Sequence, residues 1–221
     1  MDATYVHVRL LVQRGADASL LEEIARFYQR RPGPLHATVD VVPVTLEPDR
    51  SGILGWDSCF NEMEKLSLLK RSRPGEFIAL MTLDQNELRW RLFAEPGEPR
   101  TFFCHVEDFT GHSRLLAAAA AANFVLQGVF DALLAEAEHF VGDNWHGEPR
   151  GCLFDYPATR AEVLARLHAA NICADCLRLI EGTDVPKGLL MQAAEIMGDV
   201  RQVAATVLGN SKDPSPEMSI R

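Results

Sequence analysis

The sequence predicts an α/β fold with a mixed β-sheet in the N-terminal half, a long central helix and a helical C-terminal half. Three observations carry this expectation. Short apolar runs alternate with amphipathic segments in the order βαβαβββα, and helices follow. One apolar stretch of helix length occupies roughly 113–140, with a run of alanines near its start. After it, cysteines and a histidine gather within a short span of chain.

Tyr5 to Val12 reads as a strand, with Gly15-Ala16-Asp17 as the turn out of it. Ser19 is placed to cap a helix over Leu20–Tyr28, and Arg31-Pro32-Gly33-Pro34 stops that helix. Val39–Val44 is a β-branched strand, closed by Pro43. Asp57 or Ser58 caps a helix running to about Lys70. Phe77-Ile78-Ala79-Leu80-Met81 is a continuous apolar run, the pattern of a strand covered on both faces. Leu88–Ala94 and Thr101–Val106 then form a hairpin across a Pro/Gly turn. Beyond Pro157, Thr159 or Ala158 starts a further helix, and a short one follows Cys173 and ends near Gly182. Lys187–Leu208 carries Leu190, Ala193, Ile196, Val200 and Val207 at three-four spacing, the stripe of an amphipathic helix. The expected organisation is a domain over 1–182, the amphipathic helix within 183–210, and a Ser/Pro-rich disordered tail over 211–221.

Composition narrows the function. A net charge of -9 argues against a nucleic-acid partner, because phosphate binders cluster Lys and Arg. Lys70-Arg71-Ser72-Arg73 and the Arg26–Arg31 region are the basic exceptions, and each lies where a helix ends and cations complement its dipole. The apolar stretch Leu115–Leu134 contains Asn123, Gln127 and Asp131 and is rich in alanine, so a buried helix is expected rather than a membrane span. No secretory signal precedes the first strand, and the odd number of cysteines fits thiols in a reducing compartment. The expected location is cytoplasmic.

Cys173-Ala174-Asp175-Cys176 places two sulfurs within one turn, close enough to grip one metal ion. Cys152 and His146, upstream in a loop containing Gly, Pro and Trp, complete a Cys3His set that suits a closed, tetrahedral, structural zinc. His168, His139 and Cys104 compete for the fourth place. The rival readings are cysteines that serve as small buried hydrophobes and a Cys-x-x-Cys redox pair. A redox pair normally opens a helix after a strand, whereas here a helix is expected to precede.

The segment Ala135-Glu136-Ala137-Glu138-His139-Phe140-Val141-Gly142-Asp143-Asn144-Trp145-His146, with Cys152 and the Cys173/Cys176 pair downstream, resembles the archaemetzincin family of zinc metallopeptidases. The family motif is HExxHxxGxxHC, then a Cys-Val-Met element, a helix and a Cys-x-x-Cys pair. The resemblance implies a metzincin-like fold, one catalytic zinc on three histidines with a Glu base, and one structural zinc on four cysteines. Glu136 falls on the base, His139 on the second histidine and Gly142 on the glycine. Ala135 replaces the first histidine and Trp145 the third, while His146 stands where the first structural cysteine is expected. Cys152, Cys173 and Cys176 match the other three.

A catalytic zinc in this class needs three protein ligands and a water. At most one of those ligands remains here, so the resemblance implies a pseudo-peptidase: the C-terminal half stays stapled by one structural zinc within 139–180, and the hydrolytic centre is gone. The leading functional expectation is a scaffold for a protein or peptide partner, taken up along an exposed strand edge. The alternative is a hydrolase with a rebuilt centre on Glu136 and His139, aided by His105 or His112. A homodimer through the Lys187–Leu208 stripe competes with packing of that stripe on its own domain.

Overall fold

The computed structural model of the chain describes residues 5–13, 18–44, 46–70, 76–82, 84, 86, 91–95, 97–106, 113–137, 146 and 148–209. The elements follow the expected order: β1 (Val6–Gln13), α1 (Ala18–Gln29), β2 (Leu35–Val44), α2 (Trp56–Lys70), β3 (Glu76–Thr82), β4 (Leu92–Glu95) and β5 (Glu98–His105). The helices α3 (Arg114–Glu136), α4 (Arg160–Ala169), α5 (Ala174–Glu181) and α6 (Lys187–Gly209) complete the chain.

The sheet has the order β2-β1-β3-β5-β4. All pairings are parallel except β4 with β5, so β4 is an antiparallel edge strand on an otherwise parallel sheet. At the opposite edge, β2 begins at Leu35, four residues earlier than its β-branched run suggests, because Leu35 and Ala37 fill alternate positions over the core. Pro43 lies inside β2, where an edge strand tolerates the missing N–H. β4 begins at Leu92, and residues 88–90 of the expected strand lie outside those described. α2 begins at Trp56, so Asp57 stands in the first turn and not at the cap. There it complements the positive end of the helix dipole.

β3 is buried along its whole length, as its unbroken apolar run requires. Its two faces feed two cores. Phe77, Ala79 and Met81 join the larger core under α1, α3 and α6, while Ile78 and Leu80 meet Leu11, Leu54, Cys59 and Phe103 on the α2 side.

α3 is the axis of the larger core and packs against α6, α1 and β5. Ser113 caps it, its hydroxyl accepting from the Leu116 N–H at 3.4 Å. Ala117–Ala122 are fully buried, and their small side chains let the neighbouring elements approach closely. Gly128 serves the same end, since a Cβ there would meet the Phe102 ring at 2.7 Å. α3 is long and apolar enough to cross a membrane, but nearly all of it is covered by its own chain. The apolar stripe of α6 is likewise covered: Leu189, Ala193, Ile196, Val200 and Ala204 are fully buried in the larger core.

One polar side chain locks α6 in place. Gln192, buried, accepts the Leu35 N–H at 2.8 Å and donates to the carbonyls of Leu35 at 2.8 Å and Arg31 at 2.9 Å. It thereby pairs backbone groups at the start of an edge strand, where no neighbouring strand reaches. Gly33 is needed beside it, because a Cβ at that position would fall 2.4 Å from the Gln192 side chain. Gln192→Ala leaves those buried backbone groups unmet and is expected to cost about 1–3 kcal/mol. Urea unfolding should show a lower midpoint with the same slope; an unchanged midpoint contradicts this role for Gln192.

Candidate metal centre

The segment after α3 and the segment between α4 and α5 meet through short backbone pairings. His146 pairs with Asp155, its N–H donating to the Phe154 carbonyl at 3.3 Å. Cys152 pairs with Asn171: the Leu153 N–H donates to the Asn171 carbonyl at 2.7 Å, and the Asn171 N–H to the Gly151 carbonyl at 3.3 Å. Gly151 has φ +75°, and a Cβ there would strike Ala169 at 2.1 Å, so only glycine fits this crossing. Asp155 closes the turn with its N–H on the Cys152 carbonyl at 3.1 Å.

α4 between the two segments is set by local chemistry. Thr159 forms a capping box with Glu162: the Thr159 hydroxyl accepts the Glu162 N–H at 3.2 Å, and the Glu162 carboxylate accepts the Thr159 N–H at 2.9 Å. Ala170, in the left-handed region at φ 32°, ends the helix and turns the chain toward Cys173. Cys173 then caps α5, and Cys176 follows in its first turn. The Cys-x-x-Cys pair therefore opens a short helix, and a helix rather than a strand precedes it, both as expected. The convergence of other ligands adds a second distinction between a metal site and a redox pair.

Convergence is what the structure provides. One ligand atom from each of His146, Cys152, Cys173 and Cys176 lies within 4.8 Å of every other. His146 Nε2 is 3.2 Å from Cys173 Sγ and 3.3 Å from Cys176 Sγ, and the Cys173 N–H donates to Cys152 Sγ at 3.3 Å. Bond lengths of ~2.3 Å to sulfur and ~2.0–2.1 Å to nitrogen put tetrahedral ligands roughly 3.5–3.8 Å apart, close to this spread. Cys152 and Cys176 are buried, and all the cysteines are free thiols. Soft sulfur with imidazole suits zinc.

The thiols are already unequal without a metal. The Cys152 thiol is pulled down chiefly by the hydrogen bond from Cys176, and the Cys176 thiol is pushed up chiefly by donating it. The α5 N-terminus adds its positive end to the same cluster, which favours thiolate. His168, a competitor for the fourth place, is an exposed residue of α4, and Cys104 is a fully buried core residue of β5 whose thiol burial pushes well above its usual range.

The segment at the end of α3 behaves differently. Ala135 and Glu136 end α3, whereas His139, Gly142 and Trp145 lie outside the described residues. Arg100 of β5 grips Glu136 with both ends of its guanidinium, Nη2 donating to Oε2 at 2.6 Å and Nε to Oε1. The same guanidinium stands 5.0 Å over the Phe77 ring. Each carboxylate oxygen thus accepts one N–H from Arg100. His105 is fully buried in β5, and His112 lies outside the described residues.

Sequence reasoning missed the polar group that supports the cluster from behind. Arg166, 1% exposed, donates from Nε to Asn123 at 2.7 Å and from Nη1 to Gln127 at 2.8 Å and to the Asp155 carbonyl at 3.0 Å. Its guanidinium also stacks 4.8 Å over the Phe124 ring. The signal was present: Arg166 interrupts the inward Val163/Leu167 face of α4, and Asn123, Gln127 and Asp131 repeat every fourth residue along an apolar helix.

No family model matches the chain, and no curated protein matches it. Among solved structures it is similar to archaemetzincin from Archaeoglobus fulgidus, complexed with malonate, at 9% identity over 78% of this chain and 99% of that one, with a TM-score of 0.50. It is also similar to a zinc-dependent peptidase from Methanocorpusculum labreanum (strain Z), at 14% identity over 78% of this chain and 98% of that one, with a TM-score of 0.49. The fold is therefore metallopeptidase-like: a mixed α/β layer, a long central helix and a helical C-terminal half.

Cys176→Ser is expected to abolish stoichiometric zinc uptake and to lower the thermal midpoint of the protein. Acid should release bound zinc as thiolates and imidazole take up protons in its place. Elemental analysis with a chromogenic chelator checks uptake and release, thermal unfolding checks the midpoint, and protein that never holds zinc under reducing conditions contradicts the prediction.

Proposed function

We propose that this chain is a catalytically silent relative of the archaemetzincins, in which one structural zinc at His146, Cys152, Cys173 and Cys176 stabilises a scaffold for a protein or peptide partner. The observation that carries this reading is the state of the motif beside the cluster. The four ligands converge, while Ala135 stands where a zinc-binding histidine is needed and Arg100 occupies both oxygens of Glu136. Peptide hydrolysis by a metal needs an open coordination position and a base able to accept a proton. The ligand requirement is what Ala135 bears on, since an alanine supplies no metal ligand.

Zinc, when bound, supplies here a rigid cross-link between the segment following α3 and the N-terminus of α5. The chain's residues do the rest: Cys173 and Cys176 fix the start of α5, and His146 and Cys152 hold the preceding loop to it. For a partner, the chemistry points to an extended peptide. Among the described residues β4 is an edge strand of the sheet, and an extended peptide added along a sheet edge is the partner form this reading favours. Free thiols fit a reducing compartment such as the cytoplasm.

Purified protein is expected to carry one zinc per chain and to leave mixed peptides intact, with or without added zinc. His139→Ala should leave zinc content and fold unchanged. Two equivalents of zinc, or chelator-sensitive hydrolysis that His139→Ala abolishes, would support a rebuilt hydrolytic centre on Glu136 and His139 and sink the silent-scaffold reading.

A further inference from the structure

We infer that Asp155 is a positioning residue of the metal centre: its carboxylate fixes the turn that aims the Cys152 sulfur, and Arg166 ties that turn to the central helix. The inference rests on the metal-centre reading above and adds to it the part of the fold that holds the ligands in place.

Asp155 is fully buried. Its Oδ2 accepts two backbone N–H groups, from Arg150 at 2.7 Å and from Cys152 at 2.9 Å. One oxygen thus clamps both sides of Gly151, the residue whose φ of +75° sets the chain direction into Cys152. The same Asp155 forms the bridge to His146, so it touches the segments of two ligands at once. From the other side, its carbonyl receives Arg166 Nη1, whose guanidinium is held by Asn123 and Gln127 of α3. The path from the core helix to the Cys152 sulfur therefore runs through one guanidinium and one aspartate. Groups outside the ligand shell that orient ligands in this way are usually needed for full metal affinity.

A buried carboxylate at this point is costly unless charge and hydrogen bonds offset it. Arg166 supplies the opposite charge from within the core, and the two N–H groups supply the hydrogen bonds. An apolar residue at 155 would leave the Arg150 and Cys152 N–H groups unmet. Asparagine would keep one oxygen of the same reach.

The test compares the zinc affinity of full-length wild type, Asp155→Ala and Asp155→Asn by competition with a chromogenic chelator, with cobalt(II) as a spectroscopic probe. Asp155→Ala is expected to weaken zinc binding ~10–100-fold while keeping thiolate-to-cobalt absorption at saturating cobalt, and Asp155→Asn to recover most of the affinity. Gln192→Ala, which weakens the fold far from the cluster, should leave zinc affinity unchanged and so separates positioning from general destabilisation. Wild-type affinity in Asp155→Ala overturns the inference and leaves the metal-centre reading intact; a wild type that takes up no zinc overturns that reading itself. If Asp155→Ala does not fold, hydrogen exchange on the zinc-loaded wild type decides. Slow exchange of the Arg150 and Cys152 amides is expected, and fast exchange of both overturns the clamp.

Discussion

The Arg166 guanidinium is the interaction on which the rest of the C-terminal half depends. A charge buried to this degree is tolerated only where acceptors and counter-charge offset it. Asn123 and Gln127 on α3 and the Asp155 carbonyl accept its hydrogen bonds, the Phe124 ring lies against it, and the Asp155 and Asp131 carboxylates supply negative charge. Those partners come from α3 and from the loop that carries Cys152, while Arg166 itself comes from α4. Satisfying one cation therefore requires three segments to occupy one relative position. Apolar packing alone would leave sliding room between an alanine-rich helix and its neighbours, because small side chains offer few interlocking contours. The polar stripe on α3 removes that freedom, and Cys152 of the candidate metal centre is built on the segment it fixes.

Only part of this was legible in the sequence. The order of elements followed from apolar periodicity, and the Thr159 capping box was readable because cap and partner lie three residues apart. The cysteine and histidine cluster was readable for a similar reason: metal ligands are few in kind, and their spacing is constrained by the turn that presents them. What escaped was set by tertiary contact. Nothing local marks Arg100 as the partner of Glu136, since the two are joined only when β5 is laid antiparallel to α3. The early start of β2 was legible and missed: His36, Thr38 and Asp40 alternate with the core-facing Leu35, Ala37 and Val39, the period of a strand covered on one face. Asp155 escaped because an aspartate two residues before a proline reads as an ordinary turn.

The two ends of α3 face different physical demands. Near its start it must be small and apolar to sit under the sheet, and the six alanines meet that demand. Its last turn emerges toward solvent, where Glu136 is exposed and an ion pair with Arg100 is held at the surface. Exposed pairs of this kind add little to stability, about 0–1 kcal/mol. The pair's main effect is geometric: it holds the Glu136 carboxylate against the Arg100 guanidinium of β5.

That contrast separates the two kinds of metal site that a metallopeptidase-like fold can carry. A structural zinc contributes directly to folding free energy, since its ligands converge only in the native state. Here the regions joined are short helices and turns with little apolar area of their own: α5 buries only Cys176 and Ile180. Removing such a cross-link exposes the fold to loss of a whole segment. A catalytic zinc sits at the surface of a cleft with an open position, and the helix that supplies its ligands is already held by core packing, as α3 is held here by α1, α6 and β5. Substitution at that end of the helix, Ala135 included, leaves the core contacts of α3 in place. On the proposed reading, the fold keeps the site its stability requires and is indifferent to the one its stability does not.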